Sequence, residues 1–205
     1  MKRVVLLTGS RGYLASNLIE PLSTEYNVEC DREDVRDITP RKRKYSMVIH
    51  FAGPSDDVDF TDQFNTSTTM INGTINMLDV AARNNSIFVF ASTLGVEQDD
   101  LTKPYITYKL AMEHYIKSVY NNYVILRIPR VYSKCRTKGL MKKLREDGVP
   151  GQDMNNKVEY LPLNKFVEQT MEALHTWSTG LAQNMTYNYT DLTMDTITDI
   201  QDKYR

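Results

Sequence analysis

The first strand and the glycine turn after it constrain the fold more than any other segment. Val4 to Thr8 is an apolar run rich in β-branched residues, and it ends at Gly9. Such a run predicts a strand buried on both faces, as in a parallel sheet. Leucines recurring every four residues predict a helix from about Gly12. Pro21 lies inside this pattern and predicts that the helix kinks or ends near Glu20.

The turn between this strand and helix has the spacing that a phosphate site requires. Gly9 permits a tight turn, Gly12 lets the backbone approach a pyrophosphate, and the small Ala15 lets the helix pack closely on the strand. Unpaired N–H groups and the helix dipole favour an anion at such a helix start. The expected dinucleotide contacts here are Gly9, Arg11, Gly12, Tyr13 and Leu14.

Strand and helix patterns then alternate along the chain. Strands are predicted at 27–30, 47–51, 87–91 and 123–128, and helices at 62–84 and 105–120. This order predicts an α/β fold, a doubly wound parallel sheet with helices on both faces. Beyond Pro129 the pattern loosens, with helices expected at 139–146, at 165–174 and from Asp191 onward. We expect residues 1–132 to form a dinucleotide-binding domain and residues 133–205 a small substrate-binding region interleaved with the end of the sheet.

Composition excludes several classes of protein. A hydrophobic fraction of 41% and a charged fraction of 25% exclude a disordered chain, and the N-terminal apolar run is too short to span a membrane. A net charge of −1, and a basic run at 134–145 without interleaved aromatics, argue against a nucleic-acid partner. The two cysteines and three histidines lack the spacing of a disulfide framework or a metal site. We expect a cytoplasmic protein with no membrane, metal or nucleic-acid partner.

The end of the second strand bears on the choice of cofactor. A carboxylate at Asp31 would accept hydrogen bonds from the adenosine ribose and repel a 2′-phosphate, which favours NAD. Arg11 and Arg32 favour NADP instead, because guanidinium groups bind a 2′-phosphate well, unless both are rim residues that pair with Asp31. NAD is therefore the expected cofactor, and NADP the alternative.

Further segments make the chain resemble the extended short-chain dehydrogenase/reductase family, which comprises nucleotide-sugar epimerases and reductases. Their order and spacing carry the resemblance, which runs from residue 4 to about residue 132 with a fainter echo at 160–163. The segments are Asp34–Asp37, Val48–Gly53, Asn72–Leu78, Phe90–Thr93, Pro104–Lys109 and Leu126–Tyr132.

This resemblance implies a Rossmann-like sheet with a small C-terminal appendage for a nucleotide-sugar substrate. It also implies a homodimer in which the helices around Ile71 and Tyr105 pair with their copies. Met112, Tyr115, Ile116 and Val119 give the second of these helices apolar residues beyond one stripe, as such an interface requires. The further cofactor contacts that it implies are Asp34, Val35, Phe51, Ala52, Gly53, Ala91, Tyr105, Lys109 and Ile128.

Three residues are expected to carry the chemistry, a hydride transfer coupled to a proton shuttle. A tyrosine with an ordinary pKa of about 10 is a poor base at neutral pH. Lys109 lies one helical turn after Tyr105, so its charge is expected to lower the pKa of that phenol. Thr93 ends the preceding strand and would donate a hydrogen bond to the reacting oxygen. Tyr105 would then remove or deliver the hydroxyl proton.

The chain also departs from the family pattern. Only residues 94–104 separate Thr93 from Tyr105, so the loop that closes the substrate site is short. The third strand of the sheet is expected to be missing or vestigial, because Asp34 follows the second strand almost directly. Two functions therefore remain open at this point. The first is an NAD(P)-dependent epimerase or reductase, and the second is a regulatory or scaffold module that binds the dinucleotide without turnover.

Overall fold

A computed structural model describes residues 2–37, 43–55, 60–98, 101–136, 153–179 and 184–204. Its centre is a six-stranded sheet in the order β2-β1-β3-β4-β5-β8, in which every neighbouring pair is parallel. The strands are β1 (Val4–Thr8), β2 (Asn27–Cys30), β3 (Met47–His50), β4 (Ile87–Thr93), β5 (Tyr123–Ile128) and β8 (Met185–Asn188). The predicted α/β fold with a parallel sheet is confirmed.

Helices cover both faces of this sheet. They are α1 (Tyr13–Ser16), α2 (Ile19–Glu25), α3 (Gln63–Asn84), α4 (Pro104–Val119) and α5 (Leu163–Ser178). Alternate residues of each strand point to opposite faces. Val5 and Leu7 of β1 therefore join the core beneath α1, α2 and α5, whereas Leu6 joins the core beneath α3 and α4. Both cores are apolar, which explains why the central strands are hydrophobic runs without alternation.

A second, smaller sheet lies in the C-terminal part of the chain. It has the order β6-β7-β9, with β6 (Val131–Tyr132), β7 (Lys157–Pro162) and β9 (Thr193–Thr196), and the helix α6 (Ile197–Tyr204) packs on it. The β7–β9 pair is antiparallel. β8 and α5 belong to the C-terminal part of the chain, and yet they complete the main sheet and its core. The division into two domains at residue 132 stays a prediction.

Several predicted elements need correction. The first helix breaks at Asn17 and Leu18 rather than near Glu20. The reason is that Pro21 then lies in the first turn of α2, where its missing N–H is not needed. The C-terminal tail forms β9 before α6 begins, so the predicted helix from Asp191 starts too early. The pattern gave no indication of β6 to β9, and the helix predicted at 139–146 lies outside the described residues.

The edge of the main sheet and the character of the helices bear on two further expectations. In the described residues β2 is the edge strand, and residues 31–37 and 43–46 add no strand beyond it, in line with a missing third strand. Among the described residues, no helix combines the length with the apolarity that a membrane crossing needs.

Gly9 holds the ends of β1 and β3 together, and its replacement should destabilise the fold. Its φ is +69°, and a Cβ there would lie 2.6 Å from the Ala52 backbone nitrogen. Strain and overpacking should make Gly9→Ala unfold at lower urea, with a loss of about 1–3 kcal/mol. The adjacent Ser10→Ala is the control and should change stability by less than about 0.5 kcal/mol. Equal stability of Gly9→Ala and wild type would contradict this close approach.

Candidate active site

The predicted site residues lie at one edge of the sheet because the strands are parallel. β1 and β3 are neighbours in the sheet, and the connection that leaves β1 leads to β2 whereas the connection that leaves β3 leads to β4, in the opposite direction. Ligands of doubly wound sheets bind in the crevice outside the carboxyl ends of the strands at such a point. The structure brings together the chain segments that follow β1, β2, β3, β4 and β5 at this edge.

The glycine turn has the backbone geometry of a phosphate cradle. The Gly12 N–H donates to the Gly9 carbonyl at 2.8 Å, and α1 begins at Tyr13 with no side-chain cap on its first N–H groups. The Tyr13 hydroxyl donates to Ser133 Oγ at 2.7 Å. Of the residues predicted to contact the dinucleotide in this turn, Arg11 and Gly12 are exposed, and Gly9, Tyr13 and Leu14 are partly buried.

The adenosine side of the site is built by Asp31, Val35 and α3. Asp31 is buried at the end of β2, and one of its carboxylate oxygens accepts the Glu33 N–H at 3.1 Å. Val35 is also buried, and it lies so close to Gly73 that a Cβ there would meet Val35 Cγ2 at 2.6 Å. The next residue, Arg32, is exposed.

Asp34 and Arg36 form an ion pair beside this pocket. The guanidinium of Arg36 binds both carboxylate oxygens of Asp34, with Nε at 2.9 Å and 3.1 Å from them. This interaction lowers the pKa of Asp34 to about 2. The Asn76 side chain of α3 donates to the Arg36 carbonyl at 2.7 Å, and this bond fixes the loop against the helix.

His50, the last residue of β3, is buried, and it anchors the turn after this strand. Its Nδ1 lies 2.8 Å from Thr8 Oγ1, and its Nε2 lies 3.2 Å from Thr74 Oγ1. The Ala52 N–H donates to Thr8 Oγ1 at 3.2 Å, so the Thr8 proton is directed at Nδ1 and the imidazole is neutral with Nε2 protonated. Burial, aided by the charge of Lys109, lowers the pKa of His50 to about 3.

His50 should make the protein sensitive to acid. In the unfolded chain a histidine has a pKa of about 6.5, so below that pH the unfolded state binds a proton that the folded state refuses. Stability from this group is therefore complete above about pH 6.5 and falls by about 1.4 kcal/mol per pH unit toward the folded pKa of about 3. Urea unfolding at several pH values should show this slope in wild type, and a smaller slope in His50→Asn, whose Oδ1 replaces Nδ1. Identical slopes would contradict a neutral His50.

Thr93, Tyr105 and Lys109 come together where β4 and α4 meet. Thr93 and Tyr105 line one cavity of about 680 Å³. Lys109 is buried behind them, where its Nζ donates to the Ala91 carbonyl at 2.6 Å and lies 5.8 Å from the Tyr105 ring centroid. Thr93 Oγ1 accepts the Gly95 N–H at 3.2 Å, so its own proton is free to donate into the cavity.

The pKa values around Tyr105 correct one expectation. Burial raises the pKa of the Tyr105 phenol to about 12, and the cation that opposes this shift is Arg136 rather than Lys109. Lys109 bonds to Ala91 instead of the phenol, and its own burial lowers its pKa to about 8 while the charge of Glu113 opposes that shift. A tyrosine in these surroundings is protonated at neutral pH, which suits it to delivering a proton.

The wall of the cavity opposite Tyr105 carries charges that the motifs did not indicate. Arg130 and Arg136 face it from the segment after β5, and Glu159 faces it from β7. Arg136 also lies over the Tyr13 ring at 5.1 Å from its centroid, so it connects the glycine turn with the cavity. The remaining lining residues are Ser55, Phe60, Leu94, Gly95, Gln98, Lys103, Pro104, Ile106, Pro129 and Tyr132.

The other predicted cofactor residues lie around the junction of β3, β4 and β5. The Ala52 backbone lies against Gly9, and Gly53 has a φ of +156°. The Phe51 ring packs edge-on against the Phe166 ring, with 6.4 Å between the ring centroids. Ala91 and Ile128 are buried beside them, on the same face of the sheet as α1 and α5. Their assignment to cofactor binding stays a prediction.

The fold and the site together define a class: a Rossmann-like α/β protein with a phosphate turn after β1 and a Thr, Tyr and Lys group at the ends of β4 and α4. The chain belongs to the NAD dependent epimerase/dehydratase family, whose model matches residues 5–149. The family confirms the resemblance found in the sequence, and it agrees with the predicted nicotinamide dinucleotide cofactor.

Solved structures of this fold superpose on nearly the whole chain. A dTDP-4-dehydrorhamnose reductase from Bacillus anthracis in complex with NADP has a TM-score of 0.79 and 20% identity, and the match covers 100% of this chain and 80% of that one. A Thermus thermophilus UDP-glucose 4-epimerase in complex with NAD has a TM-score of 0.75 and 21% identity, with 98% and 82% covered. An epimerase from Methanothermobacter thermautotrophicus has a TM-score of 0.80 and 17% identity, with 98% and 75% covered. No curated protein sequence matches the chain.

Proposed function

We propose that this protein is an NAD(P)-dependent epimerase or reductase that acts on a nucleotide-activated sugar. The observation that carries the proposal is that Thr93 and Tyr105 face one cavity, with Lys109 buried behind them at the strand edge that holds the glycine turn. Hydride chemistry would come from the nicotinamide of a bound dinucleotide. The chain's own residues supply binding, orientation and the proton.

The cofactor side fits a dinucleotide. The exposed backbone of Gly12 and the uncapped start of α1 offer N–H groups to a pyrophosphate, and the Asp31 carboxylate lies just after β2, where a ribose hydroxyl would bind. Asp31 favours NAD. Arg11 and Arg32 are exposed on the same rim and favour NADP, so we keep NAD as the expected cofactor and NADP as the alternative.

The substrate side fits a ligand with negative charge at one end and hydroxyl groups at the other. Arg130, Arg136 and Lys103 put three positive side chains around the cavity, a pattern that suits the diphosphate of an activated sugar. Thr93 and Tyr105 present hydroxyl groups to the sugar part. Related structures hold such ligands: a Thermotoga maritima UDP-glucose 4-epimerase contains UDP-glucose.

Tyr105 would exchange the proton of the reacting hydroxyl, and Thr93 would orient its oxygen. Thr93 can donate its hydroxyl proton to that oxygen, because the bond from the Gly95 N–H uses one of the two lone pairs and leaves the proton available. Arg136 is the cation that would favour the phenolate when the proton leaves Tyr105, and the buried Lys109 lies beside the ring at 5.8 Å from its centroid. Epimerisation and net reduction both use this shuttle, and the residues on the cavity wall do not distinguish them.

Replacing Tyr105 by Phe tests this assignment. The change removes only the phenolic oxygen, so turnover should be lost while NAD(P) affinity measured by calorimetry stays within about twofold. Tyr108→Phe is the matched control, since Tyr108 is on the same helix and outside the cavity lining, and it should keep normal turnover. Thr93→Ala should slow turnover about 10²–10³-fold.

The same variants separate the two candidate functions. Nucleotide sugars are first screened for turnover with both cofactors. Full activity of Tyr105→Phe would show that another group moves the proton. Tight NAD(P) binding without turnover of any nucleotide sugar would favour the non-catalytic binding module, which the short loop between Thr93 and Tyr105 supports.

We also propose a homodimer that pairs α3 and α4 with their copies. Met112 and Ile116 belong to the core rather than to a surface, which corrects part of the expectation from the sequence. Tyr115 and Val119 remain exposed on α4, and Phe64 is 79% exposed on α3. Val119→Glu should shift a dimer mass toward the monomer in light scattering, and Lys134→Glu, far along the chain from α4, should not. A monomer mass for wild type at micromolar concentration would contradict the proposal.

A reducing setting such as the cytoplasm suits this enzyme. Cys30 and Cys135 are both free thiols, and Cys135 is exposed. Exposed free thiols persist in reducing compartments, whereas oxidising ones favour disulfides.

A further inference from the structure

The most deeply buried charge in the structure belongs to none of the predicted site residues. Glu113 of α4 has no exposed surface, although carboxylates are almost never fully buried unless they are paired. It accepts the Ser92 hydroxyl at 2.5 Å and Arg127 Nη2 at 2.8 Å, and Lys117 Nζ lies 3.5 Å away. These donors supply the pairing that a buried carboxylate requires.

Glu113 lies one helical turn after Lys109, on the same face of α4. The two side chains hold adjacent points of β4, because Lys109 donates to the Ala91 carbonyl and Glu113 accepts the Ser92 hydroxyl. The next residue of β4 is Thr93, which lines the cavity. The charge pair therefore fixes the strand end from which Thr93 projects.

Arg127 extends this cluster to the turn that follows Thr93. It lies opposite Ser92 in the β4–β5 pairing, and its Nη1 donates to Glu97 Oε1 at 3.0 Å. Glu97 belongs to a 3₁₀ turn, Leu94–Gln98, and also accepts the Asn188 side chain of β8 at 2.9 Å. One polar cluster thus joins α4, the three strands β4, β5 and β8, and the short turn.

We propose that Glu113 is a positioning residue for the proton shuttle: its carboxylate lies one helical turn from the buried Lys109 ammonium, balances that charge and fixes the end of β4 beside Thr93. This inference deepens the proposed function and rests on it for its catalytic meaning. The placement of Glu113 against Lys109, Ser92 and Arg127 can be tested without turnover.

The groups around Lys109 give the sign of the expected effect. Burial favours the neutral amine, and the negative Glu113 on its own helix is the charge that opposes burial. His50 faces Lys109 from β3 and is neutral, the phenol of Tyr105 is protonated, and the Phe90 ring of β4 lies 4.7 Å from Nζ. Arg127 of β5 binds the far side of Glu113. Removing the carboxylate charge leaves burial and Arg127 acting together against the ammonium.

The experiment follows the titration of Lys109 by NMR of isotope-labelled lysine side chains, with Lys109→Arg used to assign its signal. In Glu113→Gln we expect the affinity of Lys109 for its proton to fall by about tenfold or more. In Arg127→Gln we expect the opposite direction, because Glu113 then acts on Lys109 without its compensating cation. Glu97→Gln is the matched control, because it also loses a bond to Arg127 and should leave the Lys109 titration unchanged.

The opposite signs separate electrostatics from structural damage, since loosening of the core would move both titrations the same way. A folded Glu113→Gln with an unchanged Lys109 titration overturns the proposal, and so do shifts of the same sign in both variants. If Glu113→Gln does not fold, the sign in Arg127→Gln decides. If the protein turns over no nucleotide sugar, the proposed function is contradicted, while the result of the Lys109 titration still stands. Where turnover exists, the alkaline limb of kcat should move to lower pH in Glu113→Gln and return toward wild type in Glu113→Asp.

Discussion

The close approach of β1 and β3 at their carboxyl ends is the constraint on which the rest of the site depends. Gly9 has a φ of +69° and leaves no space for a Cβ beside Ala52. The hydroxyl of Thr8 fills the remaining gap by accepting the Ala52 N–H and bonding to His50. Because both loops leave the sheet from this junction, its geometry decides where the phosphate turn and the segment Phe51–Ser55 can lie.

His50, Lys109 and Glu113 are ionisable side chains buried between the sheet and the helices α3 and α4, and they differ in whether they carry a charge. His50 is neutral, because two hydroxyl groups satisfy its ring nitrogens and there is no nearby carboxylate among its hydrogen-bond partners. Lys109 and Glu113 are arranged as opposite charges one turn apart, and each also bonds to β4. Burial of a single charge would cost several kcal/mol, so the pair and Arg127 have to be kept or lost together.

Residue positions that depend on local order were predictable from the sequence, whereas the roles assigned to them stay predictions. The bounds of β1, β2 and β5 agree with the apolar runs, and Gly9, Asp31, Thr93 and Tyr105 follow from their place at strand ends and in a helix start. These features are set by neighbours in the chain. Glu113 and Arg127 could have been noticed, because a carboxylate one turn after Lys109 and a cation inside an apolar strand are both unexpected. Their pairing joins residues that are 14 positions apart, and periodicity carries no information on such a contact.

The charged residues on the other wall of the cavity could not be predicted from the sequence, for a different reason. Arg130, Arg136 and Glu159 come from short or irregular segments around the small sheet, whose strands have only two to six residues. Short strands with mixed burial give no clear period, so neither the sheet nor its contribution to the cavity was visible. Tertiary packing places them: the Tyr132 ring stacks on Tyr160 at 4.9 Å and thereby sets β7 beside the segment after β5.

The short connection between Thr93 and Tyr105 changes how this cavity is enclosed. The chain after Thr93 turns at once into the 3₁₀ segment, where Gly95 packs so closely on Ile106 that a Cβ would lie 3.3 Å from its Cδ1. A turn held this tightly, and tied to Arg127 through Glu97, has little freedom to fold over a ligand. On the proposed function, recognition of a substrate would then rest mainly on the cavity wall that carries Arg130 and Arg136. Because Arg136 contacts both Tyr13 and the cavity, a ligand that binds this wall would also engage the residue next to the phosphate turn. Arg136, rather than a closing loop, would therefore contact both the substrate and the cofactor side of the site.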